Sequence, residues 1–392
     1  MAQTLTTREP LLTRSFVALV VAELAYFTAD GMAILALPLL VTGPLDGSAA
    51  GAGLAFGAFA ATALLARPFV GRLCDRWGRL PLMTSGAVLA SIGLALTAYA
   101  DSLALVIALR LLLGVGEAAF FVAGLAALAD LAPPDRLGEA VSYSSLGLYL
   151  GLTLGPPLAE LLLHAGGFLA VWLGAALLAA SAAALAQLVG ETRDATATDE
   201  PGGLIHVPAI APGLGFLTSV VAMGGFLAFA ALHARESGLA NASLPLAVYG
   251  GTVVVGRIAV GRYVDRFPPL RLGAAALGVM GVGLSLLWLF ATPAGVLVGS
   301  AVTAVGVVFS TPAFFAAIFS TASPSTRGAA SATASIALDL GLAGGPLLVG
   351  MVAEGLGIQG AFAVCAGVTA LGMTWTWLLA RRSQQLGGAA LA

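Results

Sequence analysis

Long apolar runs separated by short polar breaks are the dominant pattern along this chain. A membrane-spanning helix needs about 20 mostly apolar residues, and the chain divides at its charged, proline-rich or glycine-rich breaks into twelve such stretches. The runs are continuous and do not alternate apolar with polar positions, so they predict helices and not the strands of a barrel. The breaks are too short for domains outside the membrane, so neighbouring helices are expected to be antiparallel. The predicted spans cover residues 15–40, 51–70, 81–100, 103–129, 138–163, 168–189, 210–232, 243–260, 272–291, 294–319, 328–352 and 358–380.

The composition agrees with a membrane protein. Only 9% of the 392 residues are charged and 59% are hydrophobic, whereas soluble domains carry about 25% charged residues. A net charge of −2 lacks the basic face that a nucleic-acid partner requires. The 2 cysteines are too few for a disulfide framework, and no Cys/His cluster predicts a metal site. We therefore expect a polytopic membrane protein without metal or cofactor.

The arginines predict the orientation of the spans. Cytoplasmic loops of membrane proteins carry an excess of basic residues. With the N-terminus inside, only Arg235 falls outside and only Arg110 within the membrane, while all other basic residues fall at cytoplasmic ends and loops. The first apolar run is too long for a cleaved signal. The abundance of Arg, Ala and Gly is typical of GC-rich bacterial coding, so we expect a bacterial inner-membrane protein with both termini in the cytoplasm.

Residues 191–208 interrupt the apolar pattern with a stretch rich in Thr, Asp, Gly and Pro. This composition is typical of a flexible linker. It predicts an N-terminal six-helix bundle over residues 1–190, a cytoplasmic linker over 191–209, and a C-terminal six-helix bundle with a short cytoplasmic tail over 210–392.

The two predicted bundles are related in sequence by an offset of 190 residues. Six is an even number of spans, so the bundles run in the same direction, as in transporters built from parallel repeats. That arrangement predicts a site at the midplane between the bundles and alternating access to it. At this offset Arg67, Val70, Gly71, Arg72, Asp75 and Arg76 recur as Arg257, Val260, Gly261, Arg262, Asp265 and Arg266, while Gly151, Gly155 and Pro156 recur as Gly341, Gly345 and Pro346.

The loop between predicted spans two and three has the sequence Gly71-Arg72-Leu73-Cys74-Asp75-Arg76-Trp77-Gly78-Arg79. It resembles the signature loop of the major facilitator superfamily, and the resemblance in spans, repeats and linker covers essentially the whole chain. It implies an all-α membrane protein with twelve transmembrane helices in two pseudo-symmetric six-helix bundles. Leu80 stands where the family often has a basic residue, and Pro268 stands in the second copy where the first has Gly78.

The family assigns this loop the role of a gate. In that role Asp75 would meet the positive end of helix eleven near Gly328, join the two bundles and hold the cytoplasmic side shut. The alternative is a solvated, positively charged loop that only sets topology. The expected gate residues are Gly71, Asp75, Arg76, Gly78 and Arg79 in the first copy and Gly261, Asp265 and Arg266 in the second.

Span five contains Gly151, Gly155 and Pro156, and span eleven contains a similar Gly341, Gly345 and Pro346. The first set resembles the antiporter motif of the family's bacterial drug and metabolite efflux branch, although Ala159 and Glu160 stand where that motif ends in glycines. Glycine allows close helix packing and proline makes a pliable point. The alternative is generic packing of small residues.

Ionisable residues within the predicted spans are the main indication of a functional site. Glu23 and Asp30 lie in span one, Arg110 and Glu117 in span four, and Asp339 in span eleven. Each costs several kcal/mol at mid-depth unless it is paired, protonated or hydrated. Residues 109–117 resemble the family's helix-four motif, whose arginine is linked to proton coupling.

The spacing of these residues predicts specific pairs. Glu23 and Asp30 are seven residues apart, as are Arg110 and Glu117, so each pair shares a helix face over about 10 Å. Because spans one and four are antiparallel, we expect an Asp30–Arg110 ion pair and a Glu23–Glu117 carboxyl pair that shares a proton. The alternative is a static packing role. Asp339 is open to a partner in helix two, a structural hydrogen bond or a substrate contact.

Helices one, four, seven and ten line the central cavity in the family, which suggests further lining residues here. Aromatic and small hydroxyl side chains suit an amphipathic or apolar compound, although aromatic residues in membrane helices more often pack against each other. The expected lining residues are Tyr26, Phe27, Ser219, Phe226, Thr303, Ser310 and Phe314.

These observations predict a secondary transporter that exports a small organic compound in exchange for protons, acting as a monomer in the lipid bilayer. A proton-coupled uptake symporter and a non-transporting membrane sensor are the alternatives. The chain lacks a phosphate-binding loop of the Walker type, which disfavours ATP-driven transport. It also lacks a nucleophile–base or metal constellation, so it is not expected to be an enzyme.

Overall fold

The computed structural model describes residues 11–133, 137–193, 205–260, 266–322 and 327–389, and this part of the chain is helical without strands. Nine of its helices are long and apolar enough to cross a membrane, and a further apolar helix at Leu244–Ala259 is shorter. The ten helices are α1 Arg14–Thr42, α2 Ala49–Trp77, α3 Arg79–Thr97, α4 Leu103–Leu131, α5 Leu137–Val189, α6 Val207–Glu236, α7 Leu244–Val260, α8 Pro269–Leu289, α9 Pro293–Phe319 and α10 Arg327–Ala389.

Two helices each cover two predicted spans. A straight helix of 53 residues, the length of α5, would extend about 80 Å, more than twice the hydrocarbon thickness of a bilayer. The backbone of α5 leaves helical geometry at Gly166 and Gly167, and that of α10 at Gly357. Gly167 and Gly357 have φ of 68° and 71°, a region that favours glycine. Both breaks fall between predicted spans, and the count of twelve spans stays a prediction.

Hydroxyl side chains fix where several helices begin. Thr13 accepts a hydrogen bond from the backbone N–H of Phe16 (3.2 Å) at the start of α1. Ser48 does the same at the start of α2 (3.1 Å), and Thr292 at the start of α9 (3.2 Å). These residues satisfy N–H groups that have no partner within the helix.

The helices pack in a pattern that repeats between the first half, α1–α5, and the second half, α6–α10. In the first half α1 packs most extensively on α5, and in the second half α6 packs on α10. The α3–α4 contact is likewise matched by α8–α9. The halves meet where α2 crosses α10 and where α5 crosses α7, with a smaller contact between α1 and α6.

Glycines allow the closest of these contacts. A Cβ at Gly31 of α1 would lie 3.1 Å from Gly155 of α5. A Cβ at Gly151 would lie 2.8 Å from the backbone nitrogen of Thr28 on α1, and one at Gly341 of α10 would lie 2.6 Å from Val220 on α6. The predicted glycines of spans five and eleven therefore lie at helix contacts inside each half, as in the packing alternative.

Pro156 and Pro346 lie inside α5 and α10, next to Gly155 and Gly345. Gly155 faces Gly31, and Gly345 faces Gly225 of α6. The proline at each site removes one backbone hydrogen-bond donor from the helix.

Candidate functional site

Five charged side chains from four helices form a cluster, which we call the charged cluster: Asp30 on α1, Arg67 on α2, Arg110 and Glu117 on α4, and Asp339 on α10. At its centre, Nη2 of Arg67 lies 3.1 Å from Oδ1 of Asp339 and 3.5 Å from Oε1 of Glu117. The Asp339 side chain is only 2% exposed. Arg67 therefore joins two carboxylates, one from each half of the chain.

Asp30 and Arg110 lie at the other end of the charged cluster. Asp30 interacts electrostatically with Arg110 and with Glu117, but no nitrogen–oxygen contact within 4.0 Å joins Asp30 to Arg110 in the described part of the chain. The Arg110 guanidinium lies 4.3 Å from the ring centre of Phe59, and its Nε is buried without a hydrogen-bond partner among the described residues. The two residues are neighbours, and their ion pair stays a prediction.

The predicted Glu23–Glu117 carboxyl pair does not occur in this conformation. Oε2 of Glu23 accepts a hydrogen bond from the Ser144 hydroxyl on α5 (2.6 Å), while Glu117 pairs with Arg67. The reason is the depth at which Glu23 meets its neighbours. Its other oxygen, Oε1, lies 3.5 Å from the place a Cβ of Gly124 would occupy on α4, which is two turns of that helix away from Glu117.

Arg67 was missed as a site residue because the sequence places it near the end of a predicted span, where arginines set topology. Helix α2 instead continues to Trp77, which leaves Arg67 ten residues inside it. The internal repeat carried the missing signal, because Arg67 and Arg257 match at the 190-residue offset. The structure also selects among the alternatives for Asp339, whose partner is in helix two.

A second arginine lies where α7 crosses α5. The guanidinium of Arg257 lies 4.2 Å from the ring centre of Tyr149, in the geometry of a cation–π contact. Its Nε and Nη2 atoms are buried and have no hydrogen-bond partner among the described residues. Tyr249, two turns earlier on α7, interacts electrostatically with both Tyr149 and Arg257.

The predicted gate loop is held by contacts with the start of the linker. The Glu191 carboxylate accepts hydrogen bonds from the backbone N–H groups of Arg79 (2.9 Å) and Leu80 (3.2 Å) at the start of α3. Nε of Arg79 forms an ion pair with Asp130 on α4 (3.0 Å). Partial burial acts to raise the pKa of Glu191, but its bonds to backbone N–H groups lower the pKa below its ordinary value.

Other gate residues have no described contact with the second half. Gly71 was expected to be a gate residue, yet no atom of the described residues lies within 4 Å of the place its Cβ would occupy. Gly78 has a φ of 102° and faces Glu191, and the backbone carbonyl of Arg76 accepts from Arg193 (3.1 Å).

Three further gate residues have no side-chain description. The Asp75 side chain, Gly261 and Asp265 lie outside the described residues, and Arg266 is exposed. The close backbone contacts described between α2 and α10 lie near the start of α2, where Gly53 faces Pro346 and Gly57 faces Ala343, and the Arg67–Asp339 ion pair lies further along the helix.

The predicted cavity residues of the second half are core residues in this conformation. Phe226, Thr303 and Phe314 are fully buried. Thr303 faces Gly283 and Phe314 faces Gly273, both on α8. A helix packed on several neighbours buries more than one face. The assignment of these residues to cavity helices therefore did not determine which neighbouring helix each side chain contacts.

The hydroxyl and aromatic residues among the predicted lining set also have partners within their own half. Ser219 donates a hydrogen bond to Ser310 (2.9 Å). Tyr26 stacks on Phe120 with ring centres 4.1 Å apart, and Phe27 packs edge-on against Tyr26. Within the described residues, no group of three or more His, Cys, Asp or Glu side chains forms a metal-binding arrangement.

Comparisons with known proteins identify the family. The model of the Major Facilitator Superfamily matches residues 19–292 and 213–390. An uncharacterized MFS-type transporter of Burkholderia mallei is 28% identical over 377 residues, covering 92% of this chain and 91% of the relative. Another, from Salmonella typhimurium, is 26% identical over 362 residues, covering 90% of this chain and 93% of the relative.

Solved structures show the same fold. A bacterial homolog of the human lysosomal transporter Spinster, in an inward-facing and occupied conformation, superimposes with a TM-score of 0.79 at 15% identity, covering 93% of this chain and 96% of that one. A nucleoside transporter gives a TM-score of 0.77 at 13% identity, covering 93% and 99%. The chain belongs to the major facilitator superfamily and is a multi-pass membrane transporter that works by alternating access.

Proposed function

We propose that this transporter exports a small organic compound across a bacterial inner membrane in exchange for protons, as a monomer with both termini in the cytoplasm. The observation that carries the proposal is the charge balance of the charged cluster. It contains three carboxyl groups, those of Asp30, Glu117 and Asp339, and two guanidinium groups, those of Arg67 and Arg110. With every group ionised, three negative charges less two positive charges leave a net charge of −1.

An uncompensated charge inside a membrane protein is costly. One bound proton makes the charged cluster neutral, and loss of that proton restores the excess negative charge. Carboxyl groups that share a site do not all ionise together, so the proton belongs to the cluster as a whole. A cluster of this composition suits a carrier that must bind and release one proton in each transport cycle.

Its position supports coupling between protonation and alternating access. Arg67 belongs to the first half and Asp339 to the second, and they are 3.1 Å apart. Motion of one half against the other would separate them, which would leave Asp339 without its cation and favour its protonation. The same link would make the conformational equilibrium sensitive to whether the proton is bound.

Export is the direction favoured by the resemblance of Gly151, Gly155 and Pro156 to the antiporter motif. The resemblance supports membership of the drug and metabolite efflux branch of the family, although these glycines also serve as packing contacts with α1. An uptake symporter would use the same charged cluster with proton and substrate moving together, so the direction of flux must be measured.

The test uses the purified full chain in proteoliposomes with an imposed pH gradient, a panel of small organic compounds and an internal pH dye. Exchange predicts that a compound accumulates on the more acidic side while protons leave that side. Asp30→Asn and Glu117→Gln are expected to abolish gradient-driven flux. Glu160→Gln is the matched control, because Glu160 is a buried acid of α5 outside the charged cluster, with His164 as its neighbour (3.9 Å).

Each outcome bears on a different part of the proposal. Unchanged gradient-driven flux in both cluster variants would overturn proton coupling through these residues. Accumulation on the less acidic side would overturn exchange in favour of symport. Compound binding without flux under any gradient would favour the sensor.

A further inference from the structure

The internal repeat places the same contact between the halves at two positions. Arg67 and Arg257 match at the 190-residue offset, and so do Tyr149 and Asp339. Arg67 contacts Asp339 where α2 crosses α10, and Arg257 contacts Tyr149 where α7 crosses α5. Each half thus directs one arginine at the equivalent position of the opposite half.

The partners of the two arginines differ in charge. Arg67 has two carboxylates, those of Glu117 and Asp339. At the 190-residue offset, the residue equivalent to Glu117 is Val307, which is apolar and buried, and the residue equivalent to Asp339 is Tyr149. The aromatic ring covers one face of the Arg257 guanidinium, while Nε and Nη2 are buried without any described acceptor.

A buried guanidinium needs acceptors for its N–H groups and a compensating negative charge. The ring of Tyr149 meets the flat face and leaves the donors at the guanidinium edge unused. An edge with two free donors matches a carboxylate or a phosphate, which binds guanidinium through two parallel hydrogen bonds. The chain itself supplies such a group to Arg67 and none, among the described residues, to Arg257.

We infer that Arg257 is a binding site for the anionic group of the transported compound, and that the substrates are organic anions with an aromatic or apolar body. The carboxylate or phosphate of the substrate takes the place that Asp339 has beside Arg67. Tyr149 and Tyr249 form an aromatic wall beside it. The inference rests on the proposed transport function and adds the charge of the substrate to it.

Binding of three compounds with the same body tests the inference: 1-naphthaleneacetate, 1-naphthaleneacetamide and 1-naphthylmethylammonium. The full chain in lipid nanodiscs is expected to bind the acetate at least about tenfold more tightly than the amide, because hydrogen bonds to charged groups exceed those to neutral ones. Arg257→Gln should remove this preference. Arg235→Gln, which changes an exposed arginine, is the matched control and should keep it. 1-Naphthyl phosphate tests whether phosphate is accepted as well as carboxylate.

Tyr149→Asp tests the same site without removing the arginine. The new carboxylate would stand beside Arg257 as Asp339 stands beside Arg67, so the variant should melt at a higher temperature than wild type and lose the preference for 1-naphthaleneacetate. This variant also keeps the test decisive if Arg257→Gln does not fold.

Equal binding of acetate and amide by wild type, or an acetate preference that survives Arg257→Gln or Tyr149→Asp, would overturn the inference. These binding measurements need no gradient, so they are separate from proton coupling. An acetate preference without gradient-driven flux would count against the proposed export and leave the anion site standing. Gradient-driven flux in a protein that binds the acetate and the amide equally would count against the anion site and leave the proposed export standing.

Discussion

The α2–α10 crossing and the α5–α7 crossing are two versions of one contact. In the first, Arg67 is neutralised by acids that belong to the chain. In the second, Arg257 lies against the ring of Tyr149, and its Nε and Nη2 atoms have no hydrogen-bond acceptor among the residues that the structure describes. The fold determines where each arginine lies, and the residue opposite determines whether its charge is compensated internally or is available to a ligand.

The backbones approach closely at both crossings, so the difference is not one of geometry. Gly57 of α2 faces Ala343 of α10, and Gly250 of α7 faces Thr153 of α5. Thr153 and Ala343 are themselves equivalent at the 190-residue offset. The close contact therefore falls at the same position of α5 and α10, although the glycine that faces it comes from a different position in each copy, while the chemistry of the two crossings differs.

The largest expected effect is the difference in stability between two variants, each of which removes the arginine of one crossing. Arg67→Gln leaves Asp339 and Glu117 without their cation, and breaking a buried ion pair in this way costs about 3 kcal/mol or more. Arg257→Gln removes a cation that has no carboxylate partner among the described residues, so it should cost far less or even stabilise. Thermal unfolding of both variants in the same detergent measures the difference, and equal losses would contradict the contrast between the crossings.

A smaller effect is expected when the first crossing is given the chemistry of the second. Asp339→Tyr removes one acceptor from Arg67 but leaves Glu117 in place, so we expect a loss of about 2 kcal/mol. Adding Tyr149→Asp exchanges the chemistry of the two crossings and should recover much of that loss. Thermal unfolding of the two single variants and the double variant measures the recovery, which should equal the gain from Tyr149→Asp alone because the crossings are separate contacts. A double variant no more stable than Asp339→Tyr would contradict the prediction.

Larger side chains at the glycine contacts should lower the stability of the protein by similar amounts at the two crossings. Gly57→Leu and Gly250→Leu each force a side chain into a close contact between the halves, and overpacking of this kind costs about 1.5 kcal/mol. Thermal unfolding gives the cost. Thiol labelling of a cysteine introduced near Gly53 should also increase in Gly57→Leu if the halves separate there. A large difference in stability between the two variants would indicate that the crossings differ in packing as well as in charge.

The smallest effect lies outside both crossings, at Glu191. Its pKa is lowered by hydrogen bonds from backbone N–H groups, so its contribution is present above the ordinary carboxyl pKa and is lost as the pH falls through the folded-state value. Because Glu191 is exposed and its charge is screened by solvent, Glu191→Gln should cost about 0.5 kcal/mol at neutral pH. Unfolding measured at pH 7 and again near pH 4 should show the gap between wild type and variant closing in acid.

The apolar runs predicted the fold well because a membrane imposes a simple length rule on each helix. The breaks at Gly166 and Gly357 fall where short loops were expected, and the superfamily assignment from residues 71–79 is confirmed by the family model. The end of α2 was predicted at residue 70 but lies at Trp77. Charged residues do not end a helix that extends beyond the hydrocarbon, so hydropathy alone stopped too early.

The candidate site was predicted only in part because spacing within a helix does not give the depth at which that helix meets its neighbours. Glu23 shares a face with Asp30, yet its carboxyl bonds to Ser144 and not to Glu117. The residues of spans seven and ten were assigned to a cavity from helix number alone, and Phe314 packs against α8. Contacts between distant helices, such as Arg67 with Asp339, leave no local pattern in the sequence.

The contacts of Glu191 also define a tether between the halves. On the first half the chain is fixed through Glu191 and Arg193 to the α2–α3 loop. On the second half His206 donates its backbone N–H to Thr333 (2.9 Å). The length of chain that limits how far the halves can separate is therefore the segment between Arg193 and His206. Deletions inside that segment would reduce the largest separation that the tether allows. Substitutions that remove the anchoring hydrogen bonds at either end would increase that separation.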